Sequence, residues 1–217
     1  MAMGMVPGLS GAPETLVPFL GLWVTMMAAM MLPSVAPVSR TYLRVIGANR
    51  PRGAAPVRVV ALVMGYLLAW AAYGVVAFVL TRRLDTLTSV SERTRVWASA
   101  AALVVAGVYQ FTPLKARCLK HCRSPLSVLL HVGSFTGPLR DVRVGAWHGA
   151  YCLGCCWSLM LVLVAVGLMN MVWMAALAVA IFLEKVWRYG RQLSWGLGLG
   201  MLALALVVPW QTALIGL

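Results

Sequence analysis

The chain has 217 residues, of which 62% are hydrophobic and only 11% charged, and its mean hydropathy is +0.88. A soluble domain of this length cannot hide that much apolar surface, so the composition points to a polytopic membrane protein. The net charge of +13 would suggest nucleic acid in a soluble protein. Here the basic residues fall between apolar segments, where they set membrane topology, so the expected partner is anionic lipid and not nucleic acid.

A membrane helix needs roughly 20 mostly apolar residues. Six segments qualify, at about 16–37, 59–80, 96–114, 146–167, 171–189 and 193–215. They predict an all-α transmembrane bundle forming a single domain over residues 1–217. Residues 1–15 contain no Lys or Arg, so the cationic start of a signal peptide is missing and the first segment is expected to stay as a membrane helix. That segment carries Met26, Met27, Met30 and Met31 beside Trp23. Thioethers are soft ligands suited to Cu(I), although methionine also fills gaps in ordinary membrane helices. Pro33 and Pro37 follow and should bend or end the helix.

Between the second and third segments lie Arg82, Arg83, Arg93 and Arg95, with Asp85 and Glu92. The third segment ends on a polar pair, Tyr109-Gln110, and leads into a basic stretch holding Cys118, His121 and Cys122. Ser124-Pro125 is a start signal for an interfacial helix, and Gly133, Gly137 and Pro138 suggest turns. His131 in this loop is read as a surface residue.

The fourth segment opens with His148, Cys152, Cys155 and Cys156. At about 100° per residue these four project within a sector of roughly 100°, so one helix face offers an imidazole and three sulfurs over two turns. One helix can rarely close a tetrahedral site, and Cys118 and Cys122, spaced i, i+4 beside His121, are the natural complement. A sulfur-rich set favours Cu(I), Zn(II) or iron over Mg or Ca. Plain packing also accounts for cysteines beside Gly145, Gly149 and Gly154, because small residues let helices approach closely. Five cysteines is an odd number, which excludes a complete disulfide framework.

A break at 167–170 separates the fourth and fifth segments as a hairpin. The fifth ends with Glu184-Lys185, where a scarce acid in an apolar setting is a functional candidate or an ion-pair partner of Lys185 or Arg188. Fourteen Lys and Arg fall on one side of the six segments and four on the other. The positive-inside rule then puts both termini outside and all five cysteines near the cytoplasmic face. No phosphate-cradling glycine loop, nucleophile elbow or hydrolytic acid pair is present.

The sequence Trp23-x-x-Met26-Met27-Ala28-Ala29-Met30-Met31-Leu32-Pro33 is followed by Tyr109-Gln110-x-x-Pro113-Leu114-Lys115-x-x-Cys118-x-x-x-Cys122-Arg123-x-Pro125. Gly154-Cys155-Cys156-Trp157-x-Leu159-Met160, Gly167-x-Met169-Asn170-x-x-Trp173-Met174 and Glu184-Lys185 complete the set. Together these motifs, over residues 16 to 190, resemble a bacterial family of predicted metal-binding integral membrane proteins, domain of unknown function 2182. The resemblance implies a multi-pass protein of the bacterial cytoplasmic (inner) membrane. It places Met26, Met27, Met30, Met31, Cys118, Cys122, Cys155, Cys156, Asn170 and Glu184 at family motif positions. His148 and Cys152 rest on helix geometry alone, and His121 on its place between Cys118 and Cys122.

The favoured expectation is binding of a soft metal, copper ahead of zinc or iron, for handling or delivery to a metal-accepting protein. One alternative is a membrane-embedded metal- or thiol-dependent oxidoreductase, or a subunit of one, with Glu184 and Tyr109 handling protons. Another is a scaffold among other membrane subunits. Whether the protein is an enzyme stays open at this point.

Overall fold

The computed structural model describes residues 14–47, 55–88, 92–124, 137, 139–166 and 171–215. Among them the chain is all-helical, with α1 (Leu16–Gly47), α2 (Ala55–Thr88), α3 (Glu92–Gln110), α4 (Pro113–Arg123), α5 (Arg140–Val166), α6 (Met171–Val186) and α7 (Gly190–Ile215). Four helices hold stretches long and apolar enough to cross a membrane: Leu16–Pro33, Pro56–Thr86, Arg140–Leu163 and Gly190–Val208. The pair α3 and α4, bent by 66°, makes a fifth if counted as one span. At 16 residues, α6 is shorter than the roughly 20 that a bilayer core requires. Outward faces carry exposed Val60, Val76, Leu199 and Leu206, apolar where water-facing helices are polar.

Two sequence expectations change here. The third segment does not run smoothly to residue 114. Pro113 has no N–H to continue the ladder of α3, and Thr112 instead caps a new helix by accepting from Lys115 N–H at 3.3 Å. Cys118 and Cys122 therefore ride on a helix, not in a loop. Conversely, Pro33 and Pro37 do not end α1, which continues to Gly47. Neighbouring helices compensate a proline in such a setting. Beyond the prolines, Val35 and Tyr42 are buried, and Tyr42 donates to Asp141, which also accepts from Arg58 at 3.0 and 3.1 Å. This ties α1, α2 and α5 together at one end. The expected interfacial helix at Ser124-Pro125, the turns at Gly133 and Pro138, His131 and the hairpin at 167–170 lie outside the described residues.

The most extensive packing is between α2 and α5, followed by α3 against α7. The α2–α5 seam is closed by glycines from both sides. A Cβ on Gly145 would lie 1.9 Å from the Leu62 carbonyl oxygen, and one on Gly65 would lie 2.0 Å from that of Val142. Gly149 continues the seam against Ala69 and Tyr66. Gly145 and Gly149 thus act as the expected small-residue pair, with α2 as their partner.

Candidate metal centre

The helical repeat turns Cys152, Cys155 and Cys156 inward on α5, where each is 1% exposed. Their Sγ atoms all lie within 4.8 Å of one another. Cys155 and Cys156 are 3.2 Å apart, and Cys155 Sγ also lies 3.1 Å from the Cys152 carbonyl oxygen. The i, i+4 spacing on α4 places Cys118 and Cys122 on its buried face toward α5. Cys122 Sγ sits 3.6 Å from Cys155 Sγ. Cys118 Sγ rests against Gly154, where an added Cβ would approach to 2.7 Å. All five cysteines are unbridged. The α3–α4 break is what makes this possible, because it turns α4 across α5 instead of letting it run on along the axis of α3.

Two residues at the cluster lay outside the expected ligand set. Tyr66, from the glycine seam of α2, places its hydroxyl 3.0 Å from Cys152 Sγ. Lys185, from α6, donates from Nζ to the same sulfur at 2.9 Å and lies 3.8 Å from Met31 Sδ. Lys185 is among the fourteen basic residues of the side that the charge count marks as inner. Its ammonium is in fact shared between a thiol and a thioether. The sequence signal for it was its position in Glu184-Lys185, immediately after an apolar run. Tyr66 carried little signal, being one aromatic in a long apolar segment.

The other expected site residues separate into groups. Met26, Met27, Met30 and Met31 are all buried in the same core as the cysteines. Met31 also meets Lys185, which bridges it to Cys152. His148 is buried, with its ring centroid 6.0 Å from that of Tyr66. His121 stacks on Tyr151 with centroids 4.3 Å apart and planes 12° from parallel. The Tyr109 hydroxyl donates to the Gly154 carbonyl, and its ring packs edge-on to Trp157. For Glu184 the ion-pair partner is Lys115 of α4. Glu184 is 1% exposed and accepts from Lys115 Nζ at 2.9 and 3.1 Å. Lys115, another of those fourteen basic residues, is likewise 1% exposed. Burial of the acid alone would be costly, and the pairing with Lys115 is what permits it.

The donor set is thiol-rich and buried, with the Lys185 ammonium and the Tyr66 hydroxyl as polar groups on Cys152. At metal–sulfur bonds of about 2.3 Å, three or four sulfurs around one ion stand roughly 3.8–4.0 Å apart. The spacings of 3.2 and 3.6 Å, within a cluster spanning at most 4.8 Å across its α5 members, reach that arrangement by rotamer adjustments of under about an ångström. Soft sulfur donors select Cu(I) or Zn over hard cations. Among the described residues this is the one group of three or more Cys, His, Asp or Glu side chains at ligand spacing.

No curated protein and no solved structure matches the chain. A family model does match, over residues 20–208, a span that includes every cysteine, the four methionines of α1, Tyr66 and the Glu184-Lys185 pair. Its description, a copper chaperone, agrees with the soft donor set of the buried thiols. The chain belongs to the PpoB2 copper chaperone family.

Proposed function

We propose that the protein takes up Cu(I) at a bacterial inner membrane on the thiols of Cys122, Cys152, Cys155 and Cys156, and passes it to a metal-accepting partner protein. The observation that carries this reading is the group of three mutually close buried thiols on α5, with Cys122 of α4 beside it. Cys118 and Met31 extend the sulfur path at the edges. Met26, Met27, Met30, His148 and His121 line the surroundings and serve as secondary stations or supports. Lys185 offsets the negative charge of a copper–thiolate centre, which Cys152 would otherwise hold in an apolar interior.

In this reading α1, α2, the broken pair α3–α4, α5, the short α6 and α7 make six passes, with both termini outside. Setting aside the buried Lys115 and the half-buried Lys185 leaves twelve of the fourteen basic residues of the inner side against four, so the charge bias survives. Fusion reporters at the two ends test it, and a cytoplasmic signal from either end refutes this topology.

Binding and delivery are favoured over redox catalysis by the state of the two proton-handling candidates. The Tyr109 hydroxyl donates to the Gly154 backbone carbonyl and Glu184 is held by Lys115, so both candidate proton carriers are already committed to other partners. The test is anaerobic titration of detergent-purified protein with Cu(I) against a chromophoric Cu(I) chelator, with X-ray absorption of the loaded form. We expect one Cu(I) per chain with sulfur scatterers, lost in Cys155→Ser/Cys156→Ser. Retention of zinc or iron in place of copper, or no metal above a detergent blank, refutes the copper assignment.

A further inference from the structure

The break between α3 and α4 opens a second site, independent of the sulfurs. A cavity of about 120 Å³ lies against it, with Gln110, Thr112, Lys115, Arg191, Ser194 and Trp195 in its wall. Gln110 and Lys115 are 3% and 1% exposed. The Gln110 amide has a fixed orientation. Its Oε1 accepts from Lys115 Nζ and from Ser194 Oγ at 3.0 Å, and an ammonium can only donate. The amide's other end, Nε2, is therefore a donor, and it is buried with no partner. Buried amide donors are rarely left so in native proteins, and each points to a missing acceptor.

The rest of the wall asks for the same kind of occupant. Among the described residues, both charged residues lining the cavity, Lys115 and Arg191, are cations, and none of the lining residues is a carboxylate. Glu184 neutralises Lys115 but is not part of the wall. The first turn of α4 starts here, with Thr112, Pro113 and Ala116 lining the space, so the positive end of the helix faces it. Of the lining residues, Arg191 and Trp195 are exposed, with the guanidinium 5.3 Å from the ring centroid. Just before them in the chain, Trp187 and Tyr189 are also exposed and Arg188 lies 4.8 Å from the Tyr189 ring, a cationic and aromatic composition typical of membrane interfaces. Anionic headgroups are the oxyanions met at that depth.

We propose that this cavity binds a phosphate group, supplied by an anionic phospholipid headgroup or by free inorganic phosphate. Gln110 Nε2 donates to a phosphate oxygen inside, and Arg191 pairs with the charge at the mouth. The proposal does not depend on copper binding. The test uses lipid-stripped protein in detergent, with phosphatidylglycerol, phosphatidylcholine and inorganic phosphate as separate probes. Native mass spectrometry counts retained lipid, and Trp fluorescence follows inorganic phosphate. Gln110→Glu is the informative variant, because it keeps an oxygen for Lys115 and Ser194 while replacing the free donor with a second oxygen. Arg191→Gln removes the exposed cation at little risk to the fold, and melting curves check both variants. We expect phosphatidylglycerol to be retained at least tenfold over phosphatidylcholine, with each variant losing most of that preference. Binding of inorganic phosphate that the variants also lose identifies the free anion as a source. If neither probe binds above the phosphatidylcholine level, or if both folded variants bind as the parent does, the proposal is wrong.

Discussion

Replacing Gly145 by alanine tests whether the α2–α5 seam is as tight as its glycines indicate. The new Cβ would sit 1.9 Å from the Leu62 carbonyl oxygen and 3.0 Å from the Tyr66 backbone nitrogen, whereas ordinary contact begins at 3.4 Å. Both opposing atoms are backbone, so no rotamer change relieves the clash and the two helices must part locally by roughly 1.5 Å. Overpacking of this kind costs about 1–3 kcal/mol, and the upper end applies where only backbone can yield. For a chain of this length, about 3 kcal/mol corresponds to a fall of roughly 6–12 °C in melting temperature. Unfolding from detergent is commonly irreversible, so parent and variant are compared at one scan rate. Gly200→Ala is the control. Nothing lies within 4 Å of a Cβ there, and alanine's helix preference of about 1 kcal/mol over glycine predicts an unchanged or slightly raised melting temperature. If Gly145→Ala melts with the parent, the close approach of α2 and α5 is not as described, and the placement of Tyr66 against Cys152 falls with it.

Other substitutions probe the polar groups. Lys115→Met leaves Glu184 buried without its cation and should destabilise by about 3–5 kcal/mol, whereas Lys115→Met/Glu184→Met should recover much of that loss in denaturation curves. Equal stability of the single and double variants contradicts the pairing. Lys185→Gln removes a charged donor from Cys152 and should weaken Cu(I) affinity about tenfold, the equivalent of roughly 1.5 kcal/mol, in chelator competition. An affinity equal to the parent's argues that the ammonium plays no part in holding copper. Tyr66→Phe removes a neutral hydroxyl contact to the same sulfur, so its effect on copper should be smaller, about 0.5–1.5 kcal/mol; a larger loss than in Lys185→Gln inverts the ranking.

What could be read from the sequence was what the helix repeat encodes locally. The common face of Cys152, Cys155 and Cys156 follows from their spacing, and the i, i+4 pair Cys118 and Cys122 needed only a second helix to meet it. Pro113, which creates that helix, lies within the third apolar segment, and hydropathy alone does not separate the two helices. His148 falls in the same angular sector as the cysteines, yet the ring beside it is Tyr66, because angular position says nothing of what an opposing helix inserts. The charged residues were least legible. Lys115 and Glu184 are 69 positions apart, and no local pattern marks a lysine as buried when its counter-ion is that distant. Counting charges toward topology treats every lysine as solvated, and Lys115 and Lys185 are the two for which that fails.

Glu184 and Lys185 are consecutive, so on a helix their side chains leave the axis about 100° apart. One is committed to Lys115 at the α3–α4 break and the other to Cys152 in the sulfur cluster. These two anchors define the rotational setting of α6. A twist of α6 that withdraws Lys185 from the thiols also drags Glu184 off its cation, so the two contacts form a single mechanical latch. An ion entering among the sulfurs, as proposed above, would push on a helix held at its other grip by a buried ion pair. Release of the latch at Glu184, as in Glu184→Gln, should therefore alter the rate at which copper enters, measurable by stopped-flow loading, even though that side chain touches no sulfur. Loading at the parent rate would show that the two contacts are mechanically independent.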